Sequence, residues 1–87
     1  MPVDENEARR IAEETLQRAA DDRERPWRLV EFSEGWLISD PSRNPGAPTK
    51  VIERSSGRVL AFPSYVPPRR IMEEYPQVIE KGWEERL

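Results

Sequence analysis

The chain of 87 residues contains no cysteine, no histidine and no apolar run as long as a membrane-spanning helix. Without cysteine there are no disulfides or thiolate nucleophiles, and without histidine the commonest general base and zinc ligand is missing. The four glycines stand singly, which excludes a glycine-rich phosphate loop. The N-terminus lacks the cationic-then-apolar pattern of a secretion signal. We therefore expect a cytoplasmic protein with no catalytic residues, cofactor, metal or membrane partner.

The charge balance disfavours a nucleic-acid partner, because 17 acidic residues outnumber 14 basic ones and the net charge is −3. Several carboxylates are adjacent in sequence, as in Glu13-Glu14 and Glu73-Glu74. Neighbours on a helix point about 100° apart, so such pairs rarely share a proton or a metal ion. An enzyme that used carboxylates alone would need a buried acid with a raised pKa in a cleft.

The first predicted element is an amphipathic helix over residues 4–22. Asp4 can accept a hydrogen bond from the backbone of Glu7, as in a capping box. Apolar and small residues then recur at steps of three and four, namely Ala8, Ile11, Ala12, Thr15, Leu16 and Ala19. Pro26 disfavours helix at the residue before it, so we expect the helix to end near Asp22.

The rest of the chain predicts a small antiparallel sheet followed by helix. Strands are expected near 27–32, 36–40, 49–54 and 58–62, with a proline-rich loop over 41–48. Ser55-Ser56-Gly57 reads as the turn of a hairpin between the last two strands. A helix is expected over 68–75, and a further helical segment over 77–86. The prediction is one α+β domain over 1–87, about four strands with helix on one face and the other face open.

Four segments in this order resemble the YrhB-type domain, grouped with the immunity protein 35 family of bacterial polymorphic toxin systems. They read EARRIAEETLQ, EGWLI, VIERSSGRV and PRRIMEEY. The residues that carry the resemblance are Ala8, Ile11, Ala12, Leu16, Gly35, Trp36, Gly57, Ile71 and Tyr75. The resemblance implies a non-enzymatic immunity protein that binds and neutralises a cognate protein toxin in the cytoplasm, as a monomer or weak homodimer.

Three other interpretations stay open. A PepSY-like inhibitory domain shares the order of helix and sheet and the strand–turn–strand unit. A small regulatory subunit would pair through an exposed sheet edge or through Trp83. A carboxylate-only enzyme is the third.

The expected contact surface combines the proline-rich loop with the acidic tail, since loops on a rigid scaffold often carry recognition. Trp83 is included because tryptophan is enriched at binding hot spots. The candidate residues are Glu34, Asp40, Arg43, Asn44, Glu80, Trp83 and Glu84.

Overall fold

The computed structural model describes residues 2–19, 21–41 and 46–85. Its helices are α1 (Glu5–Leu16), α2 (Pro68–Glu73) and α3 (Tyr75–Val78), and a 3₁₀ turn follows at Ile79–Lys81. Its strands are β1 (Arg28–Phe32), β2 (Gly35–Ser39), β3 (Thr49–Glu53), β4 (Val59–Phe62) and β5 (Trp83–Glu85). The strands form one antiparallel sheet in the order β1-β2-β3-β4-β5. The predicted α+β class is confirmed, with five strands rather than about four.

Helix α1 begins as predicted but ends earlier. The Asp4 carboxylate accepts from the Glu7 backbone N–H at 2.8 Å, which caps the first turn. The prediction that the helix continues to residue 22 is wrong, because Gln17 adopts a left-handed conformation with φ of 54°. The Arg18 backbone N–H then bonds to the Glu13 carbonyl at 3.3 Å and closes the helix.

Because α1 ends at Leu16, the residues that follow it lie against the end of β2. The guanidinium of Arg18 lies 2.8 Å from the Asp40 carboxylate, and both side chains are nearly buried. A little further along, the indole N–H of Trp27 donates to the Ala19 carbonyl at 3.1 Å. These two contacts hold the connection between α1 and β1 in place, and they require the chain to be non-helical after Gln17.

The predicted hairpin lies in the middle of the sheet. Strand β3 pairs with β4, from Thr49 opposite Phe62 to Ile52 opposite Val59. The turn requires the glycine, because Gly57 has φ of 76°, in the left-handed region that side chains with a Cβ disfavour. The hairpin prediction is confirmed.

The expectation that one sheet face is open is wrong. On one face α1 packs on a core formed by Ala8, Ala12, Trp27, Trp36, Ile38, Ile52 and Val59. On the other face the C-terminal helices pack on a core formed by Leu37, Val51, Leu60, Phe62, Val66, Ile71, Tyr75 and Val78. Consecutive buried residues along β2 and β4 are typical of strands that are covered on both faces. The fold therefore has three layers, with the sheet in the middle.

The C-terminal segment is the largest correction. The predicted helix over 68–75 divides at Glu74, whose φ of −125° interrupts helical geometry. The short α3 then begins at Tyr75, with Pro76 in its first turn. The predicted helix over 77–86 is wrong in its second half, since residues 83–85 form β5 against β4. At Gly82 a Cβ would lie only 3.0 Å from the Ala61 carbonyl oxygen, so the missing side chain lets the segment approach β4 closely.

Replacement of Gln17 by glycine is expected to raise the free energy of unfolding by about 0.5–1 kcal/mol. The reason is that glycine adopts a left-handed conformation without the steric penalty of a Cβ. Arg9→Gly is the matched control, because Arg9 is exposed in the helical part of α1 and glycine there should lower stability by about 1 kcal/mol. Urea unfolding measures both. A loss of stability in Gln17→Gly as large as in the control would contradict this account of the helix end.

Candidate partner-binding surface

Three of the predicted contact residues lie together at the C-terminal edge of the sheet. Glu80 lies in the 3₁₀ turn, and Trp83 and Glu84 lie in β5, which pairs with β4. All three residues are exposed. Trp83 is 46% exposed, a large fraction for a tryptophan in a small domain. The structure thus places these three predicted residues at one edge of the sheet.

The strand geometry places the side chains of Trp83 and Glu84 on different faces of the sheet. Trp83 lies opposite Ala61 and Glu84 lies opposite Leu60, and successive side chains of a strand point to opposite faces. Trp83 therefore lies on the α1 side of the sheet, whereas Glu84 lies on the side of the C-terminal helices. A helical tail would instead have placed residues 80, 83 and 84 along one side.

The remaining predicted residues are not part of this surface. Glu34 is exposed in the β1–β2 turn, three strands away from β5. Asp40 lies at the opposite end of β2, where its side chain is 12% exposed and forms the ion pair with Arg18. Arg43 and Asn44 lie outside the described residues. Glu34 and Asp40 therefore lie at the two ends of β2 and not in one cluster.

Tyr65 was not predicted and belongs beside the tail. It is 72% exposed in the β4–α2 connection, and the ammonium group of Lys81 lies 6.0 Å from the centre of its ring. Within the described ranges, Tyr65 and Trp83 are the two exposed large hydrophobic side chains. A signal was present in the sequence, because an aromatic residue between Pro63 and Pro67 falls in a turn with little surface to pack against. We call Tyr65, Glu80, Lys81, Trp83 and Glu84 the β5 surface.

A charged groove of about 570 Å³ borders the β5 surface, between α1 and the β3–β4 turn. Its apolar lining comes from Val3, Ile11 and Val59, and its charged lining from Glu7, Arg10, Glu14, Arg58, Glu84 and Glu85. Each arginine is shared between two acids: Arg10 pairs with Glu7 and Glu14, and Arg58 with Glu53 and Glu84. Acidic charge is thus in excess along this side of the molecule.

The β3–β4 turn beside this groove is held by a buried carboxylate that the sequence analysis missed. Glu53 is only 7% exposed. Its carboxylate accepts hydrogen bonds from the Ser56 hydroxyl at 2.7 Å, the Arg58 guanidinium at 3.0 and 3.1 Å, and the Tyr75 hydroxyl at 3.1 Å. The alternation of side chains along β3 could have identified Glu53 as buried, because it shares one face of the strand with Thr49 and Val51.

Burial by itself would raise the pKa of Glu53, but the three groups that donate to its carboxylate outweigh burial and lower the pKa below the ordinary value. Burial and the neighbouring Glu53 charge raise the pKa of Tyr75. Glu53 is therefore ionised at neutral pH, and its oxygens are already engaged. A general base or acid of the kind required by the carboxylate-only enzyme would need a raised pKa, and Glu53 has the opposite shift.

Residues 2–19, 21–41 and 46–85 contain neither a metal-ligating cluster nor a membrane-spanning helix. No group of three acidic side chains in these ranges converges as metal ligands would. The helices in these ranges, of which α1 is the longest with 12 residues, lack the length and apolar character needed to cross a membrane.

Comparison with known protein families gives a match. The profile of the family described as the immunity protein 35-like domain matches residues 6–82. The match extends from the first turn of α1 to Gly82, just before β5. No curated protein and no solved structure matches the chain.

Replacement of Glu53 by glutamine is expected to destabilise the protein by about 1–3 kcal/mol near pH 7, because the network loses its negative charge and one of its two acceptor oxygens. The folded-state pKa is lowered, so the carboxylate stabilises the fold above its ordinary value of 4.5, and this contribution is lost as the pH falls through the folded-state pKa. The difference between wild type and Glu53→Gln should therefore shrink between about pH 7 and about pH 3.

Urea unfolding at several pH values measures this difference. Glu24→Gln, at an exposed position in the connection from α1 to β1, is the control and should have little effect at any pH. If the difference in unfolding free energy between wild type and Glu53→Gln stays constant or grows on acidification, the lowered pKa assigned to Glu53 is contradicted.

Proposed function

The chain belongs to the immunity protein 35-like family, and from this premise we propose that it binds a cognate bacterial toxin and neutralises it. The observation that carries the proposal is the family match over residues 6–82, which includes both layers of helix and four of the five strands. The proposed partner is a protein toxin of a polymorphic toxin system, and the proposed compartment is the cytoplasm. The proposed action is non-covalent occlusion without catalysis.

The β5 surface is the proposed contact region. Its two aromatic side chains, Tyr65 and Trp83, are exposed, whereas Trp27 and Trp36 are buried in the core. Tryptophan and tyrosine bring large contact areas with few rotatable bonds, and they are enriched among residues that dominate binding energy. Exposed aromatic side chains with charged residues nearby have the composition of a protein–protein interface, which has an apolar centre and a polar rim.

The acidic charge beside this surface supports a basic toxin partner. Glu80 precedes and Glu84 follows Trp83 in the sequence, and the whole chain carries a net charge of −3. An acidic surface attracts a basic partner at long range and accelerates the encounter, particularly at low ionic strength. Many nucleases have basic active sites because they bind phosphate backbones, so a toxin of that class would be complementary.

The experiment that tests the proposal takes the reading frames next to the gene for this chain as candidate toxins. The toxin domain is expressed with and without the chain, and cell growth and co-purification are measured. We expect growth to be restored only when the chain is present, and a stable complex to be recovered. Failure of both rescue and complex formation would contradict the proposed function.

Trp83→Ala is expected to weaken toxin binding by about tenfold or more, because it removes the apolar anchor of the β5 surface. Leu29→Ala is the control, since it removes an apolar side chain from the opposite edge of the sheet and should leave the affinity within about twofold. Calorimetry on variants with intact thermal unfolding measures both. Equal affinities for wild type and Trp83→Ala would exclude the β5 surface as the contact region.

Replacement of both Glu80 and Glu84 by glutamine is expected to slow association with a basic toxin and to reduce its dependence on salt. The double variant Asp21→Asn, Glu24→Gln changes the net charge equally at exposed positions before β1 and is the matched control. Stopped-flow or surface-binding kinetics at several salt concentrations gives the association rates. If both double variants behave alike, net charge rather than the β5 surface determines the encounter.

A further inference from the structure

The sheet has a second edge, β1, which differs from β5 in length and chemistry. Strand β1 contains five residues, Arg28–Phe32, and among the strands that the structure describes it pairs only with β2. Strand β5 contains three residues, two of which are acidic. Short strands and charged residues are the devices by which proteins prevent edge-to-edge pairing. Strand β5 has both devices, whereas β1 is long enough to accept another strand.

The hydrogen bonds of the neighbouring strands show which groups of β1 face outwards. The Arg54 backbone N–H donates to the Glu34 carbonyl at 2.9 Å, so residues 34, 36 and 38 direct their backbone groups towards β3. Residues 35, 37 and 39 therefore bond to β1, at their register partners 32, 30 and 28. Leu29 and Glu31 are left with their N–H and C=O groups on the open side.

The same alternation is found on the other side of β3. The Glu53 backbone N–H donates to the Arg58 carbonyl at 2.9 Å, which directs residue 53 towards β4 and residue 52 towards β2. This agrees with the assignment from Arg54. Among the described residues, no backbone group bonds to the outward N–H or C=O of Leu29 or Glu31.

The side chains of β1 leave this edge accessible. The carboxylate of Glu31 is drawn back over the α1 face, where Arg54 binds it at 2.9 Å. The guanidinium of Arg54 also lies 4.5 Å from the centre of the Trp36 ring, so the pair is anchored to the sheet. Val30 and Phe32 are only partly buried, and β1 contains neither proline nor glycine. The edge therefore combines open backbone groups with partly exposed apolar side chains.

We propose that the β1 edge pairs with the β1 edge of a second copy of this chain, antiparallel about a two-fold axis at Val30. In this register Leu29 lies opposite Glu31 of the second copy, and the reverse pair is equivalent by symmetry. All four outward groups of each strand then form two hydrogen-bonded pairs, four hydrogen bonds in total. Val30 lies opposite Val30 of the second copy and extends apolar contact on the face of the C-terminal helices.

Other two-fold registers of the same strands are less favourable. An axis at Glu31 would place two carboxylates directly opposite each other, which is destabilising. An axis at Leu29 would bring Glu31 opposite Trp27, which precedes the strand and follows Pro26. A second copy is favoured as the partner strand because, in the Val30 register, the outward donors and acceptors of Leu29 and Glu31 are matched by those of an identical strand.

The self-association goes beyond the proposed function and uses a different surface. The two sheet edges are four strand spacings apart, about 19 Å at the usual separation of strands. A dimer through β1 therefore leaves the β5 surface free for a toxin. Toxin binding without dimerisation, and dimerisation without toxin binding, are distinguishable outcomes.

The test is sedimentation equilibrium of the full chain alone, between about 10 µM and 1 mM, together with amide hydrogen exchange at both ends of this range. We expect the average mass to rise from 10.2 kDa towards twice that value. We also expect the amides of Leu29 and Glu31 to become protected at high concentration. A constant monomer mass, or a dimer in which these amides stay unprotected, would overturn the proposal.

Two variants at one position isolate the backbone contribution. Glu31→Pro removes the outward N–H, and proline is tolerated in edge strands where this group faces solvent. Glu31→Ala removes the same side chain, including its contact to Arg54, but keeps the N–H. We expect the proline variant to lose dimerisation and the alanine variant to retain it. Equal dimerisation of two folded variants would overturn the proposal, and if the proline variant does not fold, the exchange measurement on wild type decides.

Discussion

The carboxylate of Glu53 lies at the end of β3 and accepts hydrogen bonds from the β3–β4 turn, from Arg58 and from Tyr75 in α3. It thereby links the central hairpin to the helical layer that follows it in sequence. A buried carboxylate is unfavourable unless its lone pairs are occupied, so the three donors have to remain in place together. This requirement ties the turn at Gly57 to the position of the C-terminal helices.

The position of those helices determines where the chain returns to the sheet. Tyr75 packs against Phe32 and Phe62 with ring centres 5.7 and 5.9 Å apart, which fixes α3 over the sheet. The 3₁₀ turn and Gly82 then lead directly into β5. The exposed Trp83 is therefore presented by a strand whose place depends on contacts in the core. A rigid scaffold of this kind lowers the ordering entropy that binding has to overcome.

Much of the fold could be predicted because its signals are local. The Asp4 cap, the apolar stripe of α1 and the turn at Gly57 each depend on a few adjacent residues, and each is found in the structure. The tail could not be predicted in this way. Its glutamates favour helix locally, and only the contact of Gly82 with Ala61 shows why residues 83–85 extend as a strand. Packing between distant segments also explains why the C-terminal helices cover the sheet face that was expected to be open.

The site was predicted in part for related reasons. Charge and aromatic content indicated Glu80, Trp83 and Glu84, whose role in partner binding stays a prediction. Asp40 could not be recognised as the partner of Arg18, because that pair depends on where α1 ends. Tyr65 lies near Lys81 only because the β4–α2 connection places it there. Long-range pairing of this kind has no signature in a single sequence.

The most direct measurement follows the three indole N–H signals of the isotope-labelled chain in NMR spectra while unlabelled toxin is added. Trp27 and Trp36 are buried, and Trp83 is 46% exposed, so the three side chains report on the core and on the β5 surface separately. If the chain neutralises its toxin through the β5 surface, the Trp83 signal shifts or broadens on addition of toxin while the other two stay nearly unchanged. An unchanged Trp83 signal in a saturated complex, or the absence of any complex, would contradict the account.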